Sequence, residues 1–217
     1  MRIGTVLRTL SLLAAGLGAA PAMAAVVYDE AAAGDLSGDR GAPTRVALAP
    51  GSNEVRGTMG FLGSASDLDY FTVTVPAGTV LTNLMLLPGS EVSVAVSFIA
   101  VQAGSTFTVA PSAPTAAGLL GWTHYTDPPA AGTDLLPAMS APVFGSTGFA
   151  IPLAAGDYTF WVQDIDGPAA FRYDFIVESL PAPVPLPAAI PLMVSSLALL
   201  GMLPRRQGSG AARRPAR

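Results

Sequence analysis

The feature that most constrains the fold is a two-residue alternation of apolar and polar side chains that recurs through residues 44–178. A period of two is that of a β-strand with one face in a core and the other in solvent. Clusters of Gly, Pro and Asp separate the alternating stretches, and none of these stretches keeps a helical period. The pattern predicts an all-β domain, built as an antiparallel β-sandwich of short strands.

Four stretches carry the alternation most clearly, and their β-branched and aromatic residues also favour strands. Their predicted inward rows are Phe71, Val73 and Val75; Val92, Val94, Val96 and Phe98; Tyr158, Phe160 and Val162; and Phe171, Tyr173, Phe175 and Val177. Further strands are predicted at residues 45–48, 54–59, 80–87 and 106–109. Residues 110–146 are richer in Pro, Ala and Gly, and there we predict one short strand, 119–125, within a long surface excursion.

The N-terminus has the three parts of a secretory signal peptide. Arg2 and Arg8 supply the positive region, an apolar stretch follows, and Ala22-Met23-Ala24 offers a cleavage site between small residues. We therefore expect residues 1–24 to be removed on export, with an N-terminal extension at 25–43 and the β-domain at 44–180. The chain has no cysteine, so core burial alone must stabilise this exported domain, and thiol catalysis and thiolate metal sites are excluded.

Charge is distributed unevenly along the chain. Residues 25–180 carry all 15 acidic side chains against four arginines, which leaves a net charge of −11, and the chain has no lysine. Such a surface repels phosphate backbones and attracts divalent cations. Nucleic acid is therefore a poor candidate partner, and a divalent cation is a good one.

Four aspartates are candidate metal ligands. Asp67 and Asp69 stand two apart at the start of one strand and share its inward face. Asp164 and Asp166 continue the inward row of another strand beyond its end. If these strands are antiparallel, the four carboxylates lie at one rim of the sandwich, where oxygen ligands suit Ca²⁺, and GDLSGD at 34–39 is a second oxygen-rich turn. The alternative is that the aspartates cap turns and keep strand ends solvated.

Trp161 and Trp122 are candidate ligand-binding residues, because an exposed indole ring offers a sugar a flat apolar platform. Packing in the core or under a loop is the alternative for each ring. His124 is the only histidine, and no Gly-x-Ser-x-Gly elbow is present, so we expect no enzymatic activity. A hydrolase that uses a pair of carboxylates is the remaining catalytic alternative.

Four segments together resemble the bacterial pre-peptidase C-terminal domain and its relatives. They are GSNEVRGTMG (51–60), DLDYFTVTVPAGTVLTNL (67–84), IPLAAGDYTFWVQD (151–164) and FRYDFIV (171–177). The resemblance implies a small jelly-roll-like sandwich of the kind attached to secreted proteins. Relatives of this class bind calcium through loops, which strengthens the expectation of a Ca²⁺ site.

The C-terminal region combines a motif, an apolar run and a basic end. Val184-Pro185-Leu186-Pro187-Ala188 lies in a proline-rich spacer, residues 188–203 carry no charge, and Arg205 and Arg206 precede a polar trailer at 207–217 that is expected to be disordered. This order resembles the VPLPA variant of the PEP-CTERM sorting signal. It implies a transmembrane sorting helix that is processed by an exosortase, a membrane transpeptidase of Gram-negative bacteria. A plain membrane anchor is the alternative, but its prolines and short run make a marginal span.

Together these patterns predict a secreted, non-enzymatic protein that is held transiently in the membrane and then sorted to the cell surface or extracellular matrix. We expect an adhesive or structural role in exopolysaccharide or biofilm, aided by Ca²⁺ that bridges the acidic surface to anionic polysaccharide. The alternative is a carbohydrate-binding module of the cell surface, with Trp161 or Trp122 as its platform.

Overall fold

The computed structural model describes residues 24–62, 65–92, 96–126, 131–164 and 167–182. The described residues are mostly β-strand, with two short helices. In chain order the elements are β1 (Ala25–Asp29), α1 (Glu30–Ala33), β2 (Thr44–Ala47), β3 (Gly51–Leu62), β4 (Ala65–Asp67), β5 (Asp69–Val75), β6 (Thr79–Leu86), β7 (Val96–Ala103), β8 (Gly121–Thr126), α2 (Leu136–Ser140), β9 (Gly156–Asp164) and β10 (Pro168–Ser179).

The strands form two mixed five-stranded sheets. Sheet A has the order β1-β3-β10-β6, with β4 paired to β3, and sheet B has the order β2-β5-β9-β7-β8. The all-β prediction is confirmed, but purely antiparallel pairing is wrong, because β1 pairs with β3 and β2 with β5 in parallel. Two strands joined by a tight hairpin must pair antiparallel. Strands β1, β2 and β3 instead alternate between the two sheets, so the connections between them do not fix the direction in which each strand pairs.

The two sheets share one hydrophobic core. Phe71 of β5 stacks on Phe160 of β9 with ring centroids 5.6 Å apart, and its ring meets Phe175 of β10 in the other sheet at 6.1 Å. The predicted inward rows of β5, β9 and β10 are confirmed, since their residues belong to this core or pack against it. Burial of apolar area, worth about 25 cal/mol per Å², is therefore the main source of stability in a chain without cysteine.

Strand β7 differs from its prediction in which residues face the core. Ser97 takes an inward, fully buried position, and Phe98 packs on the outer face of sheet B. The Ser97 hydroxyl donates a hydrogen bond of 2.8 Å to Asp164 at the end of β9, which lets a polar residue occupy a core position. Residues 93–95 of the predicted row lie outside the described residues.

The outer face of sheet B is covered by residues 104–120. Phe107 of this segment packs against Tyr70 and Trp161, with ring centroids 5.6 and 5.7 Å apart. The strand predicted at 106–109 is therefore wrong, because Phe107 lies in a covering loop and not in a sheet. The strand predicted at 119–125 is present as β8, and the short helix α2 follows it.

Both ends of the chain reach beyond the described residues. Residues up to Leu180 belong to one compact unit, and Pro181 opens a second. None of the described helices is long and apolar enough to cross a membrane. The signal peptide up to Met23, the sorting motif Val184–Ala188 with its apolar run, and Asp166 lie outside the described residues.

Candidate metal centre and aromatic depression

Asp69 is a buried carboxylate at the rim of sheet B. It begins β5, pairs with Val162 of β9 and is 0% exposed. Neither of its carboxylate oxygens has a hydrogen-bond partner among the described residues. Burial, reinforced by the charges of Glu30, Asp67 and Asp35, raises the pKa of Asp69 to about 9. Leaving both oxygens of a buried acid unpaired costs free energy that the fold alone does not explain.

Two carboxylates of the N-terminal segment meet Asp69. One oxygen of each of Glu30, Asp35 and Asp69 lies within 4.8 Å of the other two, and we call these three residues the acidic triad. Glu30 is half-buried in α1, and Asp35 is exposed in the loop that follows. The triad offers oxygen atoms alone, which are the ligands that hard cations such as Ca²⁺ and Mg²⁺ prefer.

Backbone donors hold the carboxylate of Glu30 in place. Its Oε2 accepts a hydrogen bond of 2.6 Å from the N–H of Thr58, and its Oε1 accepts one of 3.1 Å from the N–H of Leu36. Burial raises the pKa of Glu30, and these two hydrogen bonds oppose the rise. The helix begins at Glu30 because Asp29 caps it, with Oδ1 accepting from the N–H of Ala31 at 3.1 Å.

Gly57 of β3 has no side chain, and the carboxylate of Glu30 occupies the space where one would lie. A Cβ at Gly57 would lie 2.6 Å from Oε1 of Glu30 and closer still to Oε2 and the carboxyl carbon. Any side chain there would push the carboxylate away from Thr58. Gly57 also lines a surface groove of about 460 Å³ together with Glu30 and Asp35, so this groove gives solvent a path to the triad.

The predicted metal ligands divide between two surroundings. Asp69 belongs to the triad, and Asp67 stands half-buried at the end of β4, where burial raises its pKa. Asp164 is buried at the end of β9, accepts the hydrogen bond from Ser97, and is not part of the triad. Asp166 lies outside the described residues, so the expectation that it joins the other three stays a prediction.

The other two members of the triad come from residues 25–43, which sequence reasoning treated as an extension. Asp35 lies in the turn GDLSGD that was singled out as oxygen-rich, but no pattern linked this turn to Asp69. Glu30 was missed. Its signal in the sequence is the pair Asp29-Glu30 before three alanines, which is typical of a capped helix start.

A second region of interest lies on the outer face of sheet B. We call it the aromatic depression, a hollow of about 270 Å³ whose lining includes Trp122, His124, Phe144, Trp161 and Gln163. Trp161 is 6% exposed, so the predicted platform is largely covered. Its Nε1–H is buried without an acceptor among the described residues.

Trp122 and Phe144 are more accessible than Trp161. Trp122 is half-buried, and its Nε1 donates to the carbonyl of Val143 at 3.4 Å. Phe144 is 68% exposed, and its φ of +53° lies in the left-handed region that bulky side chains rarely adopt. The ring of His124 lies 5.3 Å from that of Trp122, and partial burial lowers the pKa of this imidazole.

No protein family, curated protein or solved structure matches this chain. The acidic triad and the aromatic depression are two features of the described residues that packing alone does not account for. A functional assignment therefore depends on their chemistry.

Proposed function

We propose that this protein is an exported, non-enzymatic component of the cell surface or extracellular matrix, with an adhesive or structural role that depends on a bound Ca²⁺. One observation carries the proposal: Asp69 is fully buried without a hydrogen-bond partner among the described residues, beside the carboxylates of Glu30 and Asp35. A buried carboxyl group without a partner is costly whether it is ionised or protonated, and a cation between three carboxylates would remove that cost.

The ligand set favours calcium over magnesium. Ca²⁺ accepts about six to eight oxygens in flexible geometry, whereas Mg²⁺ demands a nearly ideal octahedron. Asp69 would be the buried ligand, Glu30 a ligand that backbone hydrogen bonds already hold, and Asp35 the exposed ligand facing the groove. Asp67 adds charge nearby, since its carboxylate acts on the pKa of Asp69.

Export and sorting are inferred from the two chain ends. The signal peptide pattern at 1–24 and the motif Val184–Ala188 support export by a Gram-negative bacterium, a transient membrane stage and processing by an exosortase. Two facing sheets are compatible with the jelly-roll-like sandwiches that are attached to secreted proteins. The acidic surface would associate with anionic polysaccharide through bridging cations, as in an exopolysaccharide matrix or biofilm.

Thermal unfolding of the full chain, first treated with EDTA and then titrated with CaCl₂, tests the cation site. For an extracellular module we expect a dissociation constant of about 0.1–1 mM. At a hundredfold excess over that constant, the melting temperature should rise by about 5–10 °C. Asp69→Asn and Asp35→Asn should each remove the rise, whereas Glu178→Gln, an exposed acid at the end of β10, should keep it.

Three outcomes would contradict the cation proposal. The first is an equal melting temperature in CaCl₂ and EDTA. The second is a rise that survives both Asp69→Asn and Asp35→Asn, which would place the ion away from the triad. The third is a response to MgCl₂ as large as that to CaCl₂, which would contradict the assignment of calcium.

Mass spectrometry of the native C-terminus tests the sorting proposal separately. We expect the mature chain to end near Pro187, inside the motif. Recovery from cell envelopes of a chain that still carries Leu203 would contradict exosortase processing and support a plain membrane anchor.

A further inference from the structure

The aromatic depression shares no lining residue with the groove of the acidic triad. We propose that it is a binding site for a neutral pyranose ring of a polysaccharide, with Trp122 as the stacking platform. This inference goes beyond the cation site and does not require it.

The conformation of Phe144 is the first reason. The turn that presents it is fixed by Ser146, whose Oγ donates to the carbonyl of Val143 at 2.8 Å and accepts from the N–H of Val143 at 2.9 Å. The carbonyl of Phe144 accepts from the N–H of Ala116 at 2.9 Å. The positive φ of Phe144 is a strained conformation, and it holds a 68% exposed aromatic ring at the edge of the hollow. Because the ring is so exposed, its packing within the domain offsets little of this strain. A ligand in the hollow would cover that ring.

The chemistry of the lining selects the ligand. Trp122 and Phe144 offer apolar faces, while His124 and Gln163 offer hydrogen-bonding groups beside them. The lining contains no Asp, Glu, Lys or Arg among the described residues, so a charged ligand would find no partner there. A neutral pyranose ring matches this combination, because it carries C–H groups on its faces and hydroxyls around its edge.

Trp161 is the second tryptophan of this lining. Its buried Nε1–H has no acceptor among the described residues, and its ring lines the depression. The hollow of about 270 Å³ is near the lower end of ligand pockets, about 300 Å³, and fits one ring rather than a long segment.

Intrinsic tryptophan fluorescence gives a direct test, because the chain has two tryptophans and both line the depression. The full chain is titrated with oligosaccharides of neutral sugars and, in parallel, with oligogalacturonate. We expect the neutral oligosaccharides to change the fluorescence with a dissociation constant of about 1 mM, as befits a ligand that occupies one ring-sized site. Oligogalacturonate should bind more weakly.

Three variants sharpen the test. Trp122→Ala, with Trp161 left as the reporter, should weaken binding by about tenfold or more, because the platform is removed. Phe144→Ala changes an exposed side chain, so it preserves the fold, and should weaken binding by about threefold. Ile151→Ala is the matched control, because Ile151 is an exposed apolar residue, 39% accessible, outside the lining. It should bind as the native chain does.

Four results would overturn the proposal. The first is no fluorescence response to any neutral oligosaccharide. The second is binding that is unchanged in both Trp122→Ala and Phe144→Ala. The third is loss of binding in EDTA, which would show that the depression depends on the acidic triad. The fourth concerns the proline-rich spacer, since polyproline segments dock in aromatic grooves. If a peptide of residues 181–191 gave the fluorescence change and saccharides did not, the depression would be a peptide site.

Discussion

Two buried aspartates of this domain have opposite surroundings. Asp174 of β10 is 6% exposed and accepts hydrogen bonds from the N–H of Asn53, at 2.7 Å, and from the hydroxyl of Ser52. Asp69 is 0% exposed and accepts none from the described residues. One carboxylate therefore links two strands of sheet A, while the other has no donor among the described residues. Burial alone does not show whether an acid is paired within the fold, but the number of donors around it does.

The largest effect is expected for Asp174→Ala, which removes the acceptor of two donors in the middle of sheet A. Leaving the buried N–H of Asn53 unpaired should lower the free energy of unfolding by about 3 kcal/mol. Urea unfolding measures this, with the exposed Glu178→Ala on the same strand as a control expected to change it by less than about 0.5 kcal/mol. A loss no greater than that of the control would show that Asp174 is not a cross-link.

Asp69→Asn in EDTA is expected to increase the free energy of unfolding, whereas Asp174→Ala decreases it. Removing an unpaired buried acid beside Glu30 and Asp35 should raise the free energy of unfolding by about 1–2 kcal/mol. In saturating CaCl₂ the order should reverse, because the native chain gains stability from the ion and the variant does not. Urea unfolding in both buffers measures the two signs. If Asp69→Asn lowered the free energy of unfolding in EDTA as much as Asp174→Ala does, the distinction between the two aspartates would fail.

Asp134 extends the comparison to a third aspartate. Its Oδ1 accepts from the N–H of Leu84 at 3.0 Å and of Leu136 at 3.1 Å, and its Oδ2 accepts from Nδ2 of Asn83 at 2.8 Å. Because Asp134 is only half-buried, Asp134→Ala should cost about 1–2 kcal/mol, less than Asp174→Ala. Amide hydrogen exchange should accelerate in residues 131–140 and stay unchanged in β3. Exchange that accelerates across the whole domain would contradict a local role.

The smallest effect is expected for Ser97→Ala. It removes the hydroxyl that donates a hydrogen bond of 2.8 Å to Asp164 and puts a methyl group in its place. We expect a loss of about 1 kcal/mol in urea unfolding. The calcium-dependent rise in melting temperature should be unchanged, because Asp164 is outside the triad. If Ser97→Ala altered the calcium response, Asp164 would have to be counted with the metal ligands.

Local patterns predicted much of the fold. The period of two placed Phe71, Phe160 and Phe175 in one core, because alternation depends on backbone geometry within a single strand. The same rule put Asp69 on the inward face and Asp164 at the same end of the paired strand, as the register of β5 with β9 confirms.

Contacts between distant segments could not be predicted in this way. Nothing in the sequence near Asp69 shows that Glu30 and Asp35 reach it, because they arrive on a segment whose β-strand lies parallel at the edge of sheet A. The cover over Trp161 was hidden for the same reason, since residues 104–120 have no period that shows which surface they cross. The site is therefore a property of the topology as much as of its residues.

Gly57 shows how a position without a side chain can govern an acid elsewhere in the chain. The carboxylate of Glu30 fits because this position of β3 has no methyl group. A single-nucleotide change to alanine would keep every acidic residue in the protein and still force one out of place. Inherited variation at this glycine should therefore act as the loss of a glutamate would, and a comparison of natural variants by charge alone would overlook it.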